Sequence, residues 1–472
     1  MKLIQPLCFT SCLLLSISAV ANITPKNVVK QLNFKQKVAN NSIWQTQGYG
    51  YILEVNDNDI LFYDITEKHC LINHAETGEY PSSNISVVQG GAELDWGTIH
   101  PVQLIRLKTL PKLCQHDLIP SIYDKNYEFS APLTFDIFWF TFAENFAFSK
   151  EINWDWNAKY PLWRKKITTQ MNEDLLAEVF EQLLAELGDA HAHLESKQGR
   201  PLAWHNIKWD YFKKNRIEIP FAAQKEFSSP YEFHMDLNKK RAEIISSYFV
   251  NDVKSRRLYR SFLLGQLSKE ISYLSIDDMS EFTEEETVSS DLITVDKVMK
   301  QISPTLQKSK GLIIDLRWNS GGFDVVSNRI LSYFISSPLY IGSKSTKLKN
   351  GFSQPRKIVI QPAKSDPYQG PIAVLTSSLT MSAGEIFLIG LAARNDVTII
   401  GEASNGGFSD SLPKQLPNGW VFALSNERYI DFEGKSHEYS GYPVEQPHEY
   451  LNAQALKENK DYALESAIRL LQ

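Results

Sequence analysis

From Ile271 onward the chain alternates short, continuous apolar runs with amphipathic stretches, and this alternation confines it to a layered α/β fold. The runs are Ser272-Tyr273-Leu274-Ser275-Ile276, Gly311-Leu312-Ile313-Ile314-Asp315-Leu316, Ile372-Ala373-Val374-Leu375 and Val397-Thr398-Ile399-Ile400. Helical spacing falls between them, near Thr294 to Gln301, from Val325 and from Ala383. Pro371 to Ala393 is apolar enough to resemble a membrane span, but Glu385 stands near its middle. A charge there costs at least ~2.5 kcal/mol on insertion scales, so the stretch reads as a buried strand followed by a helix.

Upstream the texture differs. Between Ser42 and Leu107 apolar and polar residues alternate in short runs, as in Tyr51-Ile52-Leu53-Glu54-Val55, which predicts antiparallel hairpins. Between Leu133 and Leu194 the apolar residues recur at three and four, which predicts amphipathic helices. From Gly199 to Ser268 the chain is charged and poor in glycine, the pattern of solvated helix. The expected organisation is multidomain α/β: a leader over 1–21, a small antiparallel β domain over 22–125, a helical domain over 126–200, a helical connecting segment over 201–270, and an α/β core over 271–472.

Lys2, the apolar Leu13-Leu14-Leu15-Ser16-Ile17 and the small residues Ala19-Val20-Ala21 form the pattern of a secretory signal peptide. The expected mature chain begins near Asn22 and is extracytoplasmic, periplasmic or secreted, without a stable membrane anchor. Cys8 and Cys12 leave with the leader, and Cys70 and Cys114 remain in a compartment that permits disulfides. They can pair or stay as two buried thiols. The 49 basic and 55 acidic residues give a net charge of −6 with no basic stripe, which excludes a nucleic-acid partner.

Three segments could carry chemistry. In Thr376 to Phe387 an apolar strand passes through a small-residue turn into a helix beginning near Ser382, whose unpaired N–H groups, Ala383 included, could stabilise an oxyanion. The same residues also read as a helix cap, with Glu385 completing a capping box. In Asp315 to Gly322 a strand ends in the adjacent glycines Gly321 and Gly322, which suit either a close approach to a ligand or a plain tight turn. In Gly188-Asp189-Ala190-His191-Ala192-His193 a histidine could serve a serine nucleophile as base. Two histidines one residue apart could instead bind a metal, but nothing else in the chain has the spacing to complete such a site.

Taken together, the strand ending in Asp315-Leu316-Arg317, the paired glycines, Ser382-Ala383-Gly384-Glu385-Ile386, and Gly401-Glu402 with Gly406-Gly407 resemble the catalytic core of the C-terminal processing (tail-specific) serine peptidases. The resemblance covers Ile271 to about Tyr450. It implies a ClpP/crotonase-like core of ββα units. Members with a Ser/Lys dyad place a lysine near the position of Gly407, yet no lysine lies between Arg394 and Lys414. The chain is therefore more similar to the tricorn core protease branch. That resemblance implies Ser382 as nucleophile, His191 as base, Glu438 as the carboxylate that orients it, and Gly321 or Gly322 with Ala383 as the oxyanion hole. It implies no metal or organic cofactor and a peptide or protein substrate. A carrier on the same fold, or an esterase or amidase, is the alternative.

Overall fold

The computed structural model describes residues 38–57, 59–206, 208, 230–250 and 255–472. The expected leader over 1–21 lies outside the described residues. The β domain is a seven-stranded antiparallel sheet in the order Cys70–Ile72, Ile60–Ile65, Tyr51–Val55, Ser42–Thr46, Val102–Leu107, Gly91–Leu94, Ile85–Val88. A disulfide joins Cys70 on the edge strand to Cys114 in the short helix Lys112–His116, with the Cα atoms 5.2 Å apart.

The core sheet also has seven strands, in the order Arg256–Leu258, Phe262–Gln266, Ile271–Ile276, Gly311–Asp315, Ile372–Thr376, Val397–Gly401, Gln446–Pro447. The first three pair antiparallel and the rest parallel. Its central strands are buried throughout because side chains alternate between two covered faces. Leu274, Leu312, Ile314 and Val374 pack with the helices Val288–Leu306, Asp324–Leu331 and Ala383–Ala392. Tyr273, Ile313, Ala373 and Leu375 face the helix Tyr462–Leu471. Each buried Ile, Leu or Val contributes about 1.5–3 kcal/mol, so one-residue register slips are heavily penalised.

Two smaller sheets tie the parts together. Leu339–Leu348 pairs with Arg356–Ile360, Glu427–Asp431 and the short Gly351–Phe352. Ser411–Gln415, Val421–Ser425, His193–Glu195 and Pro201–Trp204 form an antiparallel sheet in that order. Through it the β domain, the helices Ala131–Asn145 and Glu173–Leu187, and Leu412, Phe422 and Leu424 share one hydrophobic core.

The expected helical segment over 201–270 is helical at Pro230–Ser247, whereas Pro201–Trp204, Arg256–Leu258 and Phe262–Gln266 are strands. The last two make a hairpin whose turn contains Tyr259 at φ 53° in place of glycine. Its first strand also exposes Arg256 and Arg257, so neither apolar alternation nor turn chemistry marks it. Among the described residues no helix is long and apolar enough to cross a membrane.

Candidate active site

Gly311–Asp315 and Ile372–Thr376 pair in parallel from Leu312 opposite Ile372 to Asp315 opposite Leu375. The turns that follow therefore leave the sheet side by side at its carboxyl edge, where open α/β sheets place their ligands. Cross-bonds stitch the two turns together. Ser377 Oγ donates to the Arg317 carbonyl (2.6 Å), Thr380 Oγ1 to the Leu316 carbonyl (2.8 Å) and Met381 N–H to the Asn319 carbonyl (3.0 Å). Beneath them Arg317 binds both oxygens of Asp315 at 2.9 and 2.6 Å and reaches Asp461 at 2.7 Å. Burial alone would raise the Asp315 carboxyl, but the guanidinium overcomes it and leaves the group below its ordinary value.

The glycine turn divides its donors. Gly321 N–H donates to Asn319 Oδ1 at 3.0 Å, a bond that shapes the turn. Gly322 N–H and Ala383 N–H have no acceptor among the described residues, which leaves those two donors available. Both glycines have positive φ, 108° and 134°. A Cβ on Gly321 would stand 2.6 Å from Ser382 Cβ, so glycine is what lets this turn approach the serine.

Ser382 has φ 54° and ψ −128°, outside the extended region that capping residues adopt. Such a conformation costs of order 1–3 kcal/mol and persists only where its surroundings enforce it, as in strained strand-to-helix turns that project a nucleophile. Ser382 N–H donates to the Gly407 carbonyl at 3.0 Å and to Glu385 Oε2 at 3.2 Å. Glu385 does far more than cap. Its carboxylate also accepts from Ser404 Oγ and from the N–H groups of Gly406 (2.6 Å) and Gly407 (2.8 Å). Burial pushes this carboxyl up to about 7 despite those donors. The signal for it in the sequence is a lone acid in the otherwise apolar Ala383–Ala392.

His191 arrives from the other side. The helix Glu173–Leu187 ends at Gly188 in the left-handed conformation. Asp189 Oδ1 then accepts from His191 N–H (3.0 Å), Ala192 N–H (2.8 Å) and Ser425 Oγ (2.8 Å). Pairing of His193 with Ala423 continues the anchoring. A Cβ on Gly407 would lie 3.6 Å from His191 Cε1, and the Gly407 carbonyl takes the Ser382 N–H, so both residues neighbour Gly407. Among the described residues His191 Nδ1 is buried with no hydrogen-bond partner. Burial lowers its pKa below the ordinary 6.5, against the opposing pull of Asp189 and Asp410. No hydrogen bond joins Ser382 to His191 among the described residues.

Glu438 and His193 each have their own partners. Glu438 Oε2 accepts from Phe408 N–H (3.0 Å) and Ser409 N–H (3.1 Å), and among the described residues no hydrogen bond joins it to the His191 ring. Burial, then Asp189 and Glu385, raise its carboxyl well above the ordinary value. It grips the residues directly after Gly407. His193 Nδ1 pairs with the His191 carbonyl at 2.8 Å, and burial pushes it down to about 4. Among the described residues no group of three or more His, Cys, Asp or Glu side chains is placed to hold a metal. Asp410, which the sequence did not mark, acts on His191 electrostatically while held by Lys344 Nζ (2.6 Å) and the Tyr429 hydroxyl (2.7 Å).

Residues 270–445 match the model described as peptidase family S41. Tricorn protease of Thermoplasma volcanium is 26% identical over 250 residues, which is 49% of this chain and 21% of that protein's length. A candidate peptidase from Parabacteroides merdae superposes with a TM-score of 0.57 at 22% identity, covering 73% of this chain and 97% of the other. Mature CPAF superposes with a TM-score of 0.52 at 12% identity over 72% of this chain and 96% of its own. At these identities the two superpositions bear on the fold.

Proposed function

From the match of residues 270–445 to the peptidase family S41 model, we propose that the chain is an exported serine peptidase of that family that hydrolyses peptide bonds through an acyl-enzyme on Ser382. What carries the reading is Ser382 in a strained turn beside Gly321, with Gly407, whose carbonyl takes the Ser382 N–H, lying against the His191 turn.

In this mechanism Ser382 Oγ attacks the substrate carbonyl carbon as its proton passes to His191. The oxyanion that forms is met by the N–H groups of Ala383 and Gly322, and donors fixed in advance stabilise it without reorganising. As the carbon–nitrogen bond breaks, His191 returns the proton to the departing amine. Water then repeats the sequence on the ester and frees Ser382. A neutral imidazole is needed at the outset, and burial supplies it by holding the His191 pKa down. Asp189 positions the histidine through its backbone, and Glu438 shapes the loop that faces it. The disulfide between Cys70 and Cys114 and the leader pattern at the N terminus support export.

The experiment is labelling with a fluorophosphonate probe and mapping of the modified residue. Modification of Ser382 that His191→Ala suppresses is the expected result. A wild-type protein that resists the probe and hydrolyses nothing would favour a carrier on the same fold.

A further inference from the structure

Trp204, Asn206 and Lys208 follow the strand that carries the histidine segment into the small antiparallel sheet, and the mechanism above assigns them nothing. Each nevertheless reaches a different part of the site. Trp204 Nε1 donates to the carbonyl of Ala190, the residue before His191, at 3.1 Å. Asn206 Nδ2 donates to Asn405 Oδ1 at 3.0 Å and lies 3.5 Å from the sulfur of Met381, the residue before Ser382. Asn405 Nδ2 returns a bond to Asn206 Oδ1 at 3.2 Å and makes another to the Ser378 carbonyl at 2.8 Å. Lys208 Nζ donates to the carbonyls of Ser404 (2.7 Å) and Ser440 (2.9 Å), the second only two residues beyond Glu438.

The amide pair is buried, with Asn206 3% and Asn405 6% exposed. Buried amides are retained only where their hydrogen bonds are made, and here the bonds run between chain segments about 200 residues apart. Among the described residues the loop from Ser404 to Gly407 is also tied to the serine turn and its helix by Ser382 N–H on the Gly407 carbonyl, by Asn405 N–H on the Thr380 carbonyl, and by the Ser404 hydroxyl and the Gly406 and Gly407 N–H groups on the Glu385 carboxylate. Lys208 brings in the Glu438 segment, and Trp204 brings in the histidine.

We propose that Trp204, Asn206 and Lys208 act together as a positioning clasp that fixes the histidine, serine and glutamate segments relative to one another. The proposal rests on the assignment of those three segments to one site. None of the three touches a reacting atom. Their effect is on the distance and angle between Ser382 and His191, to which acyl transfer is steeply sensitive: a displacement of about 1 Å can cost on the order of 100-fold in rate.

The test compares wild type with Asn206→Ala, Lys208→Met and Lys208→Arg in the full chain. Amide hydrogen exchange is followed at 376–386, 401–410 and 436–442, with the distant strand Tyr51–Val55 as internal reference, and the rate of fluorophosphonate modification of Ser382 is measured alongside. The expected result is at least about fivefold faster exchange at the three site segments in Asn206→Ala and Lys208→Met, with the reference strand unchanged. Modification should slow by on the order of 10- to 100-fold, and Lys208→Arg, which can still donate to both carbonyls, should stay within a few fold of wild type. Unchanged exchange at the site, or equal acceleration in the reference strand, overturns the clasp. If wild type itself does not react with the probe, the peptidase reading fails, while the exchange comparison still decides the clasp.

Discussion

The Gly407 carbonyl accepts the Ser382 N–H at 3.0 Å, while a Cβ on Gly407 would stand 2.6 Å from Ala190 Cβ and 3.6 Å from His191 Cε1. One glycine thus lies against both Ser382 and the histidine turn, and the histidine turn fills the space any side chain there would need. Gly407→Ala should push the two apart and lower kcat/KM by on the order of 100-fold, with a smaller change in stability. Gly407→Lys should not create a Ser/Lys dyad, because the room for the lysine is already taken. Steady-state kinetics with thermal unfolding checks both.

The backbone of Ser382 makes a second prediction. Ser382→Ala removes the hydroxyl proposed to attack substrate and should abolish turnover. Ser382→Gly should also be inactive, yet it relieves a φ of 54° and should leave the protein equally stable or about 1 kcal/mol more stable. Urea unfolding of the two variants side by side measures the difference. A glycine variant clearly less stable than the alanine variant would mean that Ser382 is not strained.

The core strands and the helix Ala383–Ala392 were legible because continuous apolar runs and their turn residues report local burial. The pairing of Ser382 with the glycine turn was legible as a resemblance. What the sequence concealed was long-range. Asp189 is held by a hydroxyl, that of Ser425, 236 residues away, and Glu385 reads as a cap until Gly406 and Gly407 are found on it. Lys208 reads as one charge in a solvated run, although its partners lie about 200 residues away. No periodicity encodes such contacts, because they depend on which loops the finished sheets bring together.

Glu438 and Asp189 can be separated by substitution. Gln at 438 keeps an oxygen that can accept from Phe408 and Ser409, so Glu438→Gln should cost less than about tenfold in kcat/KM. Asp189→Ala leaves the N–H groups of His191 and Ala192 and the Ser425 hydroxyl without their acceptor and should cost more than Glu438→Gln. Kinetics of the two variants at matched pH decides the order. A larger loss for Glu438→Gln would show that its charge, not its acceptor oxygen, matters.

The disulfide between Cys70 and Cys114 closes a loop with a sequence separation of 44. Replacing both with serine should reduce unfolding free energy by about 4 kcal/mol on the chain-entropy account. The site lies in other segments, so activity below the new unfolding temperature should persist. Urea unfolding of oxidised wild type and the double variant provides the comparison.

The pH profile should identify the base. Burial holds the His191 pKa below 6.5, so its neutral form is available at lower pH than for a free histidine, and the acid limb of kcat/KM should have its midpoint below 6.5. Glu385 runs the opposite way: burial raises it to about 7. The two also differ in stability. A histidine with a depressed folded pKa contributes stability that is fully present above 6.5 and is lost as the pH falls through the folded value. A carboxyl with a raised folded pKa contributes stability that is present below about 4.5 and is lost as the pH rises through about 7. Glu385→Gln should therefore leave the acid limb in place while flattening the loss of stability between pH 4.5 and 7, and His191→Ala should abolish the activity whose limb is being followed. An acid limb near 7 in wild type that moves in Glu385→Gln would transfer the titration to Glu385 and remove His191 as the group that sets the profile.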